Sequence, residues 1–276
     1  MDGTLLNKNH IISVENRQAL KQAKKQGIEV VIATGRSFQE SNYLLVEAGI
    51  ECPMICANGA EIRSITGEIL LSNPITKHIA KEVAKVFLTH DMYYELYTND
   101  GTYSSDYDKA LTIIMDIFMS SNLKGDYEKS LQAAKDRFES GKIHLVDSFD
   151  TIFNDREKTI NKFISFSFDK TKLEAVKRDL ETVAEIAVSS SGKENIEVNS
   201  IQAQKGIALT GFVEQRGISL EETMAIGDNY NDVSMFKRVH HSVAMGNAPL
   251  DIKKVCKKIT DTNENHGVAK AILEVL

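Results

Sequence analysis

The residues best suited to chemistry lie together in Ile226-Gly227-Asp228-Asn229-Tyr230-Asn231-Asp232, where a strand-like run from Thr223 to Ile226 ends in glycine. Two carboxylates and two amides follow within five residues. Hard, oxygen-seeking cations such as Mg²⁺ take such ligands, usually one or two carboxylates completed by waters and a substrate phosphate. An acidic turn at the surface has the same composition, so the stretch gains meaning only from its company. That company is Asp2, the hydroxyl of Thr34 and Lys205 at a predicted helix start. Phosphoryl transfer requires charge neutralisation around three equatorial oxygens, an in-line nucleophile and an acid for the leaving group. A lone lysine or threonine says nothing of this; their joint arrival at strand ends does.

The elements that must deliver these groups alternate. Met1 to Asn7 reads as a loop with an Asp-Gly turn. Ser13 can cap a helix to about Gln26, with Glu15 in the first turn and Gly27 as the stop. Ile28 to Ala33 and Met54 to Ala57 are short apolar runs of the kind found in buried parallel strands, with a helix from Ser37 to Gly49 between them. Glu61 to Ser72 predicts a hairpin turning at Thr66-Gly67. From Ile79 the texture changes: alternating strands at Tyr93 to Thr98 and Asn161 to Phe168 surround amphipathic helices at Ala110 to Met119 and Lys129 to Glu139. Leu111, Ile114, Met115 and Phe118 make a helical stripe best explained by core packing. A helix at Lys172 to Val183 precedes strands at Ile186 to Ser190 and Ile196 to Val198. The parallel rhythm resumes with a helix from Lys205 to Arg216, strand Thr223 to Ile226, helix Asn231 to Arg238 and strand Ser242 to Met245. This predicts an α/β protein with a doubly wound parallel sheet and right-handed crossovers, interrupted by an inserted α+β domain. The expected division is 1–78 with 199–276 for the first domain and 79–198 for the second. Ligands of such sheets bind beyond the carboxyl ends of the strands, where Thr34, Asn58 and Asp228 fall.

Composition narrows the function classes. The 276 residues, 42% hydrophobic and 26% charged, suit one large or two modest globular domains. A net charge of −6 argues against a nucleic-acid partner, which calls for a basic face. Cys52, Cys56 and Cys256 form neither a disulfide framework nor a zinc site and read as reduced thiols. His10, His78, His90, His144, His240 and His241 lack metal-ligand spacing. No apolar run reaches the ~18 residues that span a bilayer, and the start lacks a signal-peptide pattern. The expectation is a cytoplasmic protein without a membrane partner, a monomer or weak homodimer.

Asp2-Gly3-Thr4-Leu5-Leu6, Ala33-Thr34-Gly35-Arg36, Ala57-Asn58-Gly59-Ala60, Lys205-Gly206 and Gly227-Asp228-Asn229-Tyr230-Asn231-Asp232 together resemble the haloacid dehalogenase (HAD) superfamily. More narrowly, they are similar to the Cof-type phosphatases with a large α/β (type IIB) cap between the second and third motifs. Val243 to Ala248 and His266-Gly267-Val268-Ala269 also resemble that subgroup, with His266 where an aspartate is usual. The resemblance runs through the whole chain. It implies a Rossmann-like core with a cap, and Mg²⁺-dependent hydrolysis of small phosphomonoesters, sugar phosphates or phosphorylated cofactors, through an aspartyl-phosphate. It further implies that Thr34 and the Gly35 amide bind the phosphoryl group and that Lys205 neutralises it. Asp228 would ligate Mg²⁺, Asp232 would orient the metal shell, and Asn231 would contact phosphate. Asp2 would give its carbonyl to the metal and its side chain as general acid, then base. The Met1 amide would meet the phosphoryl oxygens, and Arg36 and Asn58 would face the substrate. His266 would lie in a loop near the site.

The family pattern is Asp-x-Asp-Gly-Thr, its first Asp being the nucleophile. Met1 stands at x, so the nucleophile and the central strand that bears it fall before the given residues. Loss of a central strand leaves buried backbone groups unsatisfied at ~1–3 kcal/mol each, against a total stability of ~5–15 kcal/mol. The expectation is that upstream residues exist. The alternative is a catalytically inactive protein that binds phosphometabolites; a mutase moving phosphate between sugar positions is a third reading, disfavoured by the large cap.

Overall fold

The computed structural model describes residues 1–120, 131–132, 135–136, 138–139, 143–192 and 194–276, with only the backbone of 114–120. The chain separates into two compact units, one of residues 1–73 and 201–276, the other of residues 74–200.

In the first unit the strands are short and their sides alternate. β1 (Ile32–Ala33) pairs parallel with β2 (Met54–Cys56), and the hairpin β3 (Glu61–Arg63) and β4 (Ile69–Ser72) continues the sheet antiparallel in the order β1-β2-β3-β4. Successive strand side chains point to opposite faces, and β2 shows the result. Met54 and Cys56 join Leu20, Ala23 and Leu45 in one core, whereas Ile55 joins Leu209, Phe212 and Val213 in another. Helices Val14–Lys25 and Gly267–Leu273 serve the first core and helix Lys205–Glu214 the second. Helices thus cover both faces, as a doubly wound sheet requires. Helix Val14–Lys25 starts where Ser13 accepts the Asn16 amide, and helix Phe38–Glu47 carries a full capping box of Ser37 and Glu40.

Only two residues of the expected strand Ile28 to Ala33 enter a ladder, because β2 pairs with Ile32 and Ala33 alone. Met54 to Ala57 ends one residue early, since Ala57, Asn58 and Gly59 take φ values of 46°, 60° and 105°. The expected helix Asn231 to Arg238 is a 3-10 turn at Tyr230–Asp232 running into a helix at Val233–Phe236.

The second unit holds β5 (Tyr94–Thr98), β6 (Thr102–Ser104), β7 (Ile143–Leu145), β8 (Ile160–Phe166), β9 (Ile186–Ser189) and β10 (Asn195–Ser200) in one sheet, order β7-β6-β5-β8-β10-β9. Leu96, Phe163, Ile196 and Val198 pack with Phe87 of helix Lys77–Thr89 and Val176 and Leu180 of helix Lys170–Leu180. The alternate residues Lys162 and Glu197 form an ion pair at 3.3 Å, each 2% exposed. Tyr93 is buried and bonds to Glu95 and Ser104, and Tyr97 lies under the Lys162 ammonium, so both are packing groups. Of the expected stripe, the side chains of Ile114, Met115 and Phe118 lie outside the described residues, as do residues 129, 130, 133, 134 and 137 of the expected helix Lys129 to Glu139.

β11 (Met224–Gly227), β12 (His241–Ala244) and β13 (Lys258–Ile259) form a third, all-parallel sheet in the first unit. Met224 and Ile226 face the core of Met54, and Ala225 faces that of Ile55. The same two cores therefore run across β2 and β11. Among the described residues no strand pairs with β1 or β11 on its other side. No helix of the described residues is long and apolar enough to cross a membrane.

Candidate active site

The Asp228 loop is built by glycine and by internal bonds. Gly227 ends β11 so closely against Asp232 that a Cβ there would meet the carboxylate. Asp232 Oδ2 accepts the amides of Asp228 and Asn229 at 2.9 and 3.1 Å, and its Oδ1 accepts Lys205 Nζ at 2.7 Å. Both members of this pair are buried, at 3% and 6% side-chain exposure. Burial works against the Asp232 charge, but the Lys205 ammonium, the Met1 ammonium and the hydrogen bonds from Lys205 and the Asn229 amide together hold the carboxyl below its usual range. Both Asp232 oxygens are thus engaged by the protein itself. That arrangement leaves Asp232 placed to orient a metal shell.

Asp228 is in the opposite condition. Its Oδ1 accepts the Thr4 hydroxyl at 2.5 Å, and no lysine or arginine pairs with it among the described residues. Burial, and then the neighbouring Asp232, push its carboxyl up. A buried carboxylate without a cation is costly, and a divalent ion would relieve that cost. Among the described residues no three histidine, cysteine, aspartate or glutamate side chains gather closely enough to hold a metal alone. That suits Mg²⁺, which keeps waters and uses one or two carboxylates with substrate phosphate. The donors on hand, all oxygens, fit it.

The other expected residues fall around this pair. Thr34 is 1% exposed and its hydroxyl accepts the Arg36 amide at 3.1 Å. A Cβ on Gly35 would sit 3.0 Å from Asn58 Oδ1, and that oxygen accepts Asn231 Nδ2 at 3.1 Å. Asn58 reaches this position from a left-handed backbone, a conformation that costs ~1–3 kcal/mol and tends to cluster at functional sites. The Met1 nitrogen is buried in the field of Lys205, Asp232, Asp2 and Asp228. Lys205 and Asp228 therefore meet through Asp232, from motifs far apart in sequence.

Asp2 departs from expectation. Its carboxylate takes Arg36 Nε at 2.7 Å and Nη2 at 2.5 Å, a two-pronged pair. Burial opposes the charge, but hydrogen bonds from His10 and Arg36 hold the carboxyl well below the ordinary range. In this arrangement Asp2 is an ionised partner of Arg36 and carries no proton to give. His266, the unusual residue of the C-terminal motif, takes φ 59° and meets Ser13 Oγ at 2.9 Å through Nδ1.

Four groups escaped the sequence reading: Thr4 on Asp228, and Asn16, Asn247 and Asn263, which bond to the loop of residues 3–6. Thr4 was visible in its motif but had no assigned task. Asn247 likewise lies in the Val243 to Ala248 motif without an assigned task, whereas Asn16 and Asn263 give no signal, since each bonds to residues remote in sequence or one helix away.

The C-terminal loop beside them offers a pH test. Lys270, then the Thr262 amide and Asn265, lower the Asp261 carboxyl from 3.8 to about 2. A depressed acid stabilises the fold above its unfolded value of about 3.9. That contribution is lost as pH falls through the folded value. Asp261→Asn should lower the urea midpoint at pH 7, and the gap to wild type should close between about pH 4 and about pH 2.

Residues 1–272 match the family model for haloacid dehalogenase-like hydrolases. Phosphatase YwpJ of Bacillus subtilis strain 168 is 36% identical over 278 residues, covering 100% of this chain and 98% of the relative. The 5-amino-6-(5-phospho-D-ribitylamino)uracil phosphatase YwtE of the same strain is 37% identical, covering 100% of this chain and 96% of the relative. A solved haloacid dehalogenase-like hydrolase from B. subtilis superposes with a TM-score of 0.89 at 36% identity, covering 99% of this chain and 97% of that one. The chain belongs to the haloacid dehalogenase-like hydrolase family, among the Cof-type phosphatases with an α/β cap. It is an enzyme of the phosphatase class.

Proposed function

We propose that the protein hydrolyses small phosphomonoesters, sugar phosphates or phosphorylated cofactors, with Mg²⁺ and through an aspartyl-phosphate. The observation that carries this reading is the Lys205–Asp232 pair bonded to the loop of Asp228, a buried carboxylate with which no lysine or arginine forms an ion pair among the described residues. The substrate class draws support from YwtE, whose named substrate bears its phosphate on a ribityl chain.

Mg²⁺, when bound, neutralises phosphoryl oxygens and orients the phosphorus for in-line attack. Asp228 and the Asp2 carbonyl are its proposed protein ligands, with Asp232 orienting the shell. Lys205 offsets the remaining negative charge, while Thr34 and the Gly35 amide, with Asn231, hold the phosphoryl group. The Met1 amide, Arg36 and Asn58 complete the substrate contacts. The nucleophile in this reading is the family's aspartate. Its oxygen forms a bond to phosphorus as the ester P–O bond breaks, and Asp2, once it has released Arg36 and taken up a proton from solvent, passes that proton to the leaving oxygen. Asp2 then receives a proton from the water that cleaves the acyl phosphate. For that duty its carboxylate must leave Arg36, and an arriving phosphate dianion competes for the same guanidinium. We take 1–78 with 199–276 as the core domain and 79–198 as the cap.

The test is turnover of p-nitrophenyl phosphate and a panel of phosphorylated metabolites by the full protein, with Mg²⁺ and with EDTA. Hydrolysis that EDTA abolishes, and that Asp228→Asn lowers by at least ~100-fold, is the expected result. Ligand binding with no turnover of any ester would overturn it in favour of an inactive binding protein.

A further inference from the structure

Three asparagine amides hold the loop of residues 3–6 by its carbonyls. Asn247 Nδ2 donates to Gly3 at 2.8 Å, Asn16 Nδ2 to Leu5 at 3.3 Å and Asn263 Nδ2 to Leu6 at 2.9 Å. Two of these amides use their other end on the C-terminal segment. Asn247 Oδ1 accepts the Asn263 amide at 3.0 Å, and Asn16 Oδ1 accepts the Ala269 amide at 2.9 Å. The loop's own amides at Thr4, Leu5 and Leu6 turn inward to the Met1 carbonyl. Its outward carbonyls therefore depend on side chains.

This loop has little slack. Gly3 takes φ 65°, and a Cβ there would collide with the Asp228 carboxylate. Thr4, the next residue, places its hydroxyl on Asp228 Oδ1. Turning the Gly3 carbonyl turns the peptide that leads into Thr4, and the hydroxyl leaves Asp228. Asn247 is exposed, so water could serve the Gly3 carbonyl at little cost, and the bond itself nets only ~0.5–1.5 kcal/mol. What a side chain supplies and water does not is a fixed direction.

We infer that Asn247 and Asn263, backed by the buried Asn16, are positioning residues that hold Gly3 and Thr4 against Asp228 and so set its geometry for the cation. This rests on the phosphatase reading above in naming Mg²⁺ as the ion. It adds a reason for the C-terminal loops to take part in the site.

The test uses the full protein with Asn247→Ala, Asn247→Asp and Asn263→Ala. Three quantities are read: Mg²⁺ affinity by calorimetry without substrate, kcat and KM for p-nitrophenyl phosphate, and Tm. Partners behind a metal ligand typically govern ~10–100-fold in affinity or activity. Mg²⁺ affinity and kcat should fall by that order, with KM and Tm near wild type. Asn247→Asp keeps the acceptor for Asn263 but loses the donor to Gly3, so it should behave as Asn247→Ala does. Unchanged Mg²⁺ affinity, or a lower Tm with kcat intact, would overturn the inference. A wild-type protein that binds Mg²⁺ but turns over no ester fails the phosphatase reading alone, and the calorimetry still decides the positioning. Absence of Mg²⁺ binding in the wild type would overturn both.

Discussion

Lys205→Met should abolish phosphatase activity and lower stability by about 3–5 kcal/mol, the usual cost of removing one partner of a buried ion pair. The variant removes the nearest cation from Asp232, which is 5% exposed and then keeps two backbone amides as hydrogen-bond donors. The loop it braces carries Asp228, so the loss spreads to the candidate cation site. Urea unfolding measures the first effect and p-nitrophenyl phosphate turnover with Mg²⁺ the second. The double variant Lys205→Met with Asp232→Asn separates them: the amide removes the unpaired charge and keeps an acceptor for the Asp228 and Asn229 amides, so part of the stability should return while activity stays absent. Turnover by Lys205→Met within a few-fold of wild type would remove lysine from the chemistry.

The second large effect is expected one residue on. Gly206 lies in the first turn of helix Lys205–Glu214, which is buried along most of its length, and a Cβ there would penetrate the Ser234 carbonyl. That neighbour is backbone and cannot swing aside. The Gly206 amide also donates to Ser234 Oγ at 3.0 Å, so helix and loop are joined at the point of contact. Gly206→Ala should cost about 3 kcal/mol through overpacking and shift Lys205 from Asp232. Gly211→Ala in the same helix is the control, because nothing lies within 4 Å of its added methyl. It should be neutral or gain up to ~1 kcal/mol from helix propensity. Equal urea midpoints for the two variants would contradict this packing.

The contrast between those glycines shows what could be read beforehand. The resemblance picked out Lys205-Gly206 by type and spacing, but nothing local distinguishes a glycine under a carbonyl from one in open space. Runs such as Met54–Cys56 announce strands because their apolar residues must serve a core on each face. Ile28 to Val31 carry the same pattern without a ladder, because strand formation depends on a partner that composition does not reveal. The Asp2–Arg36 pairing and the asparagine bonds to Gly3 and Leu6 were hidden for a related reason. Their partners are separated by 34, 244 and 257 positions and are fixed only by the tertiary fold. Left-handed Asn58 lay hidden too, since asparagine tolerates that conformation without demanding it.

The first compact unit is assembled from two separated stretches, residues 1–73 and 201–276. During synthesis, the Asn16 carbonyl oxygen waits for the amide of Ala269, and Leu6 waits for Asn263. The unit of residues 74–200 can collapse while the ribosome is still decoding residues 201–276, since domains generally fold as units. The residues around Asp228 cannot assemble fully until Asn263 and Ala269 have been made, so a nascent chain stalled before them would hold one finished unit and an open site.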